Sequence, residues 1–185
     1  MAARITTRVA ASSLIAVESI DNVVWRRPNL HICAMRIVVQ RVSRASVTVD
    51  GTVTGAISTG IMALVGFTHT DATQQIDWMA AKLLSLRIFP DVAGVMNRSV
   101  AEVGGGLLLV SQFTLYGTLA KGTRPSYMAA AAPAIAEPLY NQFVERVRGL
   151  VLEQGASCHV ATGIFGAMMD VELVNDGPVT IVLER

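Results

Sequence analysis

The sequence predicts an α+β fold: one domain from Met35 onward, built of short strands and two main helices. Two patterns carry this. Apolar, β-branched or alternating runs are joined by tight glycine-containing turns, which favours antiparallel or mixed pairing. Two longer stretches instead repeat their apolar residues at helical spacing. Composition sets the outer bounds. A chain of 185 residues that is 52 % hydrophobic and 16 % charged has material for one sizeable core and is excluded from the disordered class. Such a low charge also suggests that a partner subunit covers part of the apolar surface.

Taken in order, residues 35–42 form an apolar, β-branched strand. Residues 46–49 and 52–57 alternate around Asp50-Gly51, which has the chemistry of a two-residue type I′ hairpin. Residues 60–67 read as a buried strand between glycines. Asp71 with Gln74 three residues on forms a capping box, and Ile76, Met79, Ala80, Leu83 and Leu84 then share one helical face. A connection over 87–97 holds Pro90 and Gly94, and residues 107–110 form a central strand after Gly104-Gly105-Gly106. The second helical region spans 126–154, with Leu139, Tyr140, Phe143, Val144, Val147, Leu150 and Val151 as its stripe. Pro133 and Pro138 lie near its start and Gly155 stops it. Two last strands, 168–174 and 179–183, flank the turn Asn175-Asp176-Gly177-Pro178.

Residues 1–34 differ from the rest. They are weakly patterned and carry four arginines against Glu18 and Asp21, a net +2 that leaves −1 for the remainder of a +1 chain. They read as a disordered extension, as a targeting peptide, or as an artefact of start-site assignment with Met35 the true start. The third reading is favoured, because arginine dominates over lysine throughout, as in a GC-rich genome. A near-neutral domain argues against a grip on a long stretch of nucleic acid and allows only a small, local contact. No apolar run approaches the ~18 residues that span a bilayer, so no membrane is expected. Cys33 and Cys158 make no disulfide framework, which fits a reducing cytoplasm. With His31, His69 and His159 they show no metal-ligand spacing; neither metal nor cofactor is expected.

Conventional catalytic signals are weak. There is no Gly-x-Ser-x-Gly elbow and no His-Glu-x-x-His, and no Lys-Ser/Thr follows the glycine triplet to make a phosphate loop. A triad of Ser111, His69 or His159, and Asp170 has no support in the spacing. Three segments remain. Ser111-Gln112-Phe113-Thr114 directly follows a buried strand, where polar side chains are placed to line a pocket, although alone it reads first as a strand end with capping hydroxyls. Asn175-Asp176-Gly177-Pro178-Val179-Thr180 reads as an ordinary turn, or as a cis Gly-Pro whose bare backbone comes close to a ligand. Lys121-Gly122-Thr123-Arg124-Pro125-Ser126 is a small basic loop.

Together these segments resemble the D-aminoacyl-tRNA deacylase (D-tyrosyl-tRNA deacylase) family, whose signatures are Ser-Gln-x-x-Leu and Asn-x-Gly-Pro-x-Thr. Here they stand as Ser111-Gln112-Phe113-Thr114-Leu115 and Asn175-Asp176-Gly177-Pro178-Val179-Thr180. Gln40-Arg41-Val42, Arg87-Ile88-Phe89, Met96-Asn97 and Gly122-Thr123-Arg124-Pro125-Ser126 extend the match over essentially all of 35–185. Val95 stands where the family commonly has lysine, which removes one tRNA contact. The resemblance implies a barrel-like core and hydrolysis of D-aminoacyl-tRNA, with glycyl-tRNA mischarged on tRNA-Ala as a further substrate. It implies a homodimer whose sites lie at the subunit interface and bind the aminoacylated 3′ end of tRNA. A cis Gly177-Pro178 reaches into the partner's pocket, where backbone carbonyls meet the substrate α-amino group. Ser111, Gln112, Phe113 and Thr114 surround the ester as the catalytic segment, and Arg41, Asn175, Thr180 and Phe89 complete substrate binding. Arg41 holds the Gly-Pro motif through backbone carbonyls, and Phe89 or Phe113 stacks on the terminal adenine. With no base beside Thr114, water is the expected nucleophile, helped by the 2′-hydroxyl of the terminal adenosine and main-chain oxyanion donors. The rivals are a tRNA-binding module without turnover and a Ser/Thr-nucleophile hydrolase acting on other esters.

Overall fold

A computed structural model describes residues 34–120 and 122–185; the reading of the N-terminal extension falls, apart from Ala34, outside them. The first strand, β1 (Arg36–Val49), organises the molecule because it is paired along both edges. It runs unbroken where the sequence predicts two strands. On one edge lie β2 (Thr52–Ile57) and β3 (Gly60–Gly66), antiparallel in one register from Arg36 to Val47, where Ala45 faces Ile57 and Val42 faces Gly60, with a shift beyond Val47. They act as one arm interrupted at Ser58-Thr59. The hairpin turn has φ of 49° at Asp50 and 75° at Gly51, the positive pair that a type I′ turn requires.

From β3 the chain crosses through α1 (Thr73–Ser85) to β6 (Gly106–Ser111), then through α2 (Pro133–Glu153) to β7 (Val160–Thr162). Both steps add a parallel strand, and each needs a crossover of helical length. A two-stranded ribbon, β4 (Phe89–Pro90) and β5 (Met96–Arg98), lies in the first crossover. The sheet order β2-β1-β3-β6-β7 then curls back on itself. At Gly55 of β2 a Cβ would stand 2.4 Å from the Thr162 carbonyl oxygen of β7, so only glycine lets the two end strands meet. The result is a nearly closed mixed barrel with two helices. No helix among the described residues is long and apolar enough to cross a membrane.

The curled sheet separates two cores. Ile61, Ala63 and Val65 of β3 and Leu107 and Leu109 of β6 face the helices, while Met62, Leu108 and Val110 face the barrel interior with Val42, Val47 and Ala161. This is the period-two alternation of a sheet buried on both faces. β1 changes sides: Ile37 and Val39 pack under the helices, whereas Val42, Ala45 and Val47 pack inside the barrel. The phase changes between Val42 and Ala45, at exposed Ser43 and Arg44, just after Arg41. Each fully buried Leu or Ile here contributes about 1.5–3 kcal/mol from burial.

The α1 stripe is the predicted one, with Ile76, Met79, Ala80, Leu83 and Leu84 buried. Its cap is one residue later than predicted. Gln75 Oε1 accepts the Ala72 N–H at 3.2 Å, while the Asp71 carboxylate accepts the Thr68 N–H at 2.7 Å and so closes the preceding turn. The second helix begins at Pro133, not Ser126, because 127–132 take a non-helical path in which Ala131 N–H bonds the Phe67 carbonyl at 2.9 Å.

The largest departure is at the end of the described chain. The two predicted last strands are one strand, β8 (Asp170–Glu184), antiparallel to β1. Gln40 faces Thr180 and Val42 faces Asn175, so two residues along β1 correspond to five along β8. The extra residues leave the ladder as a bulge, and the strand continues in the same direction. Asn-Asp-Gly-Pro has reversal chemistry, yet pairing to β1 on both sides of it holds the direction.

Candidate functional site

β6 delivers the first signature. It is buried along Gly106–Val110 and emerges at Ser111, which is half-buried. Gln112 N–H is held by the Val65 carbonyl at 2.7 Å, and a 3₁₀ turn, Phe113–Tyr116, follows. Within this turn the Gln112 side-chain amide donates to the Thr114 hydroxyl, and Gly117 N–H returns to the Thr114 carbonyl at 2.9 Å.

Ser111, Gln112 and Phe113 line the rim of a cavity of about 640 Å³. Val65, Phe67 and Val110 form its floor, and Ala130, Ala131, Ala132, Pro133 and Ala136 form one wall. Phe165, Gly166, Met168, Met169 and Val171 form the other. Four alanines and a proline on one side keep the space wide. Phe113 is exposed and meets Tyr127 edge-on, with ring centroids 5.2 Å apart at 72°. Among the described residues, no Asp, Glu, His, Lys or Arg lines this cavity. Neither His69, His159 nor Asp170 is among the lining residues, so the Ser-His-Asp arrangement is not assembled there.

The second signature is the β8 bulge. The Gly177–Pro178 peptide is cis, as the sequence anticipates, and Gly177 has φ +114°. Asp176, Gly177 and Pro178 are all exposed. Asn175 secures the base of the bulge: its Nδ2 donates to the Arg41 carbonyl at 3.0 Å and to the Val179 carbonyl at 2.9 Å. Thr180 resumes the ladder, with its hydroxyl 3.4 Å from Gln40 Nε2.

Arg41 is buried beneath the bulge. Its Nη1 donates to the Ile88 carbonyl, and its Nε lies 2.9 Å from an Asp176 carboxylate oxygen. That contact is an ion pair by distance; the Nε–H does not point at the oxygen well enough to be a hydrogen bond. Arg41 therefore touches the motif through the Asp176 carboxylate, not through the motif's carbonyls as expected. The guanidinium also fills the space under Gly177, where a Cβ would come 2.6 Å from Nη2.

Of the sequence-derived site residues, Ser111, Gln112 and Phe113 gather at the cavity, with Thr114 bonded to Gln112. Arg41, Asn175, Gly177, Pro178 and Thr180 gather at the bulge, and none of them is among the cavity's lining residues. Phe89 belongs to neither group. It is 2 % exposed and packed in the core under the helices, so its ring cannot stack on a base. Of the two rings named in the sequence, only Phe113, which is 56 % exposed, is open to solvent. Sequence reasoning missed the alanine wall, Tyr127 and Phe165. A cluster of small residues just before a helix-starting proline was the available signal for the wall.

A family model described as D-Tyr-tRNA(Tyr) deacylase matches residues 38–184. The chain belongs to that family. Among the deacylase's relatives, a D-aminoacyl-tRNA deacylase from Opitutus terrae is 54 % identical over 150 residues, covering 81 % of this chain and 97 % of the relative. One from Brevibacillus brevis is 55 % identical over 150 residues, covering 81 % and 99 %. A solved structure of a c-Myc DNA unwinding element binding protein superposes with a TM-score of 0.75 at 41 % identity, covering 81 % of the deacylase and 98 % of that chain. A probable eukaryotic D-amino acid tRNA deacylase shares the fold, with a TM-score of 0.69 at 20 % identity over 82 % of this chain and all of that one.

Proposed function

We propose that this deacylase hydrolyses the ester between a D-amino acid and the 3′ end of tRNA, releasing both, and so proofreads chirality in translation. It works in the cytoplasm as a homodimer. The observation that supports this reading is that the two signatures stand apart within one copy of the chain. Ser111, Gln112 and Phe113 rim an uncharged cavity, and Gly177-Pro178 stands exposed on a bulge that lines no part of it. A second copy of the chain, presenting its own bulge, completes the pocket.

The chemistry follows from what the cavity offers. Ser111 and Tyr127 supply hydroxyls, with that of Thr114 held behind the Gln112 amide, but among the described residues no lining residue is a general base that would activate one as nucleophile. Water attacks the ester carbonyl instead. The 2′-hydroxyl of the terminal adenosine takes a catalytic part, and main-chain N–H groups at the start of the 113–116 turn, which a helical turn leaves without internal acceptors, stabilise the oxyanion. Phe113 and Tyr127 offer ring surfaces at the mouth for the adenine.

Selection by chirality needs a wall beside the α-carbon and indifference to the side chain. A backbone knuckle meets both needs, because main-chain carbonyls bind any α-amino group while the clash falls on the L-isomer. Glycine has no side chain to clash, so glycyl-tRNA is also a substrate. Incubation with D-tyrosyl- and L-tyrosyl-tRNA tests the reading. Release of D-tyrosine alone is expected. Release of neither would leave a binding module, and equal release of both would leave an ester hydrolase without a chiral filter.

A further inference from the structure

Three strand ends meet beneath the 3₁₀ turn. Arg36 opens β1, Gly66 closes β3 and Glu184 closes β8, and Arg36 is the register partner of both of the others. The turn lies against Gly66: a Cβ there would stand 2.9 Å from the Gln112 carbonyl oxygen and 2.9 Å from Tyr116 Cε2. Tyr116, the last residue of the turn, is buried, and its hydroxyl reaches the Gly66 carbonyl at 3.1 Å and the Ala34 carbonyl at 2.6 Å. Burial pushes the Tyr116 phenol above its ordinary pKa, which keeps it neutral and a donor.

Arg36 spans this junction. Its Nε pairs with Glu184 Oε1 at 2.6 Å, its Nη1 donates to the Leu115 carbonyl, and its guanidinium carbon lies 5.1 Å from the centroid of the Tyr116 ring. Two of these three contacts are to the turn that carries Phe113 and Thr114. The ion pair is half-open to solvent, with side-chain exposures of 34 % and 52 %, and pairs of that kind add little to stability. We propose that Arg36 is a positioning residue for the reaction: it fixes the Leu115 carbonyl and the Tyr116 ring, and through them sets Ser111–Thr114 against the substrate ester. The inference rests on the reading of Ser111–Thr114 as the reacting segment. Misplacing reacting groups by about 1 Å can cost about a hundredfold in rate, so an anchor outside the pocket is felt inside it.

The test compares Arg36→Ala and Arg36→Lys with the native chain on D-tyrosyl-tRNA, with hydrogen exchange of residues 112–117 measured alongside. Arg36→Ala is expected to lower kcat about tenfold to a hundredfold with KM nearly unchanged. Exchange over 112–117 is expected to rise while that of α1 and α2 stays native. Arg36→Lys is expected to recover part of kcat, since an ammonium can serve Leu115 or Glu184 but lacks the planar fork that serves both. Native kcat in Arg36→Ala, a change in KM alone, or faster exchange throughout the molecule would each overturn the proposal. A native chain inactive on D-tyrosyl-tRNA would sink the functional reading instead; unchanged exchange over 112–117 would still refute Arg36 on its own.

Discussion

At the scale of single residues the rim of the cavity separates binding from chemistry. The Thr114 hydroxyl accepts from the Gln112 amide and has no acid–base group among the cavity's lining residues to activate it. Thr114→Ala is therefore expected to keep kcat within a factor of about three, far from the hundredfold or more that loss of a transition-state donor costs. A single-turnover assay reads this directly, and a large loss together with a trapped acyl-enzyme would restore the nucleophile. The place of Ser111-Gln112-Phe113-Thr114 at the end of a buried strand was legible in the sequence because that is a local pattern, whereas its reading as a site came from the resemblance. The place of Phe89 was not: an aromatic beside a motif looks the same in one dimension whether it packs inward or faces a ligand. Nor was the partner of Arg41, since Asp176 lies far along the chain and no local spacing joins them.

At the scale of elements, periodicity reported α1 faithfully, because the five residues of its stripe lie within three turns of one another. It failed for β8, where a local turn signal competes with a long-range ladder and the ladder prevails. The β4–β5 ribbon is a third case, held by one carboxylate. Asp91 accepts the Asn97 side-chain amide at 2.7 Å and the N–H groups of Ala93 and Val95 at 2.8 and 3.0 Å. The Asn97 contact first, then the two backbone bonds, hold its pKa below the ordinary 3.8. A lowered folded value means that the stabilisation is present above 3.8 and is lost as pH falls through the folded pKa. Amide protection in the ribbon, taken relative to the intrinsic exchange rate at each pH, is expected to fall in that acid range. Asp91→Ala is expected to show the lower protection at every pH; a ribbon equally protected on both sides of that range would contradict this.

At the scale of the whole molecule, β8 is paired, among the described residues, only on its β1 side and leaves Val171, Val174 and Val182 exposed. A fifteen-residue strand with an open edge invites pairing with another chain unless something covers it. The 52 % hydrophobic composition points the same way. The relatives align over 150–153 residues, nearly their full length, and the family model begins at residue 38. A chain starting at Met35 is accordingly expected to sediment as a dimer and to deacylate at the native rate. Sedimentation velocity with the tRNA assay checks both, and a fully active monomer would remove the need for Gly177-Pro178 from a second copy.

The double pairing of β1 also has a temporal side. One of its edges is satisfied at once by the neighbouring β2–β3 arm, the other only when β8, well over a hundred residues later, has been synthesised. Contacts so distant in sequence form slowly, and an uncovered strand edge is adhesive while it waits. A nascent chain halted before residue 170 would hold the cavity rim yet lack the Gly177-Pro178 bulge, and would expose β1 as a site for aggregation. Quality control over the chirality of other proteins thus depends on the ribosome finishing this one.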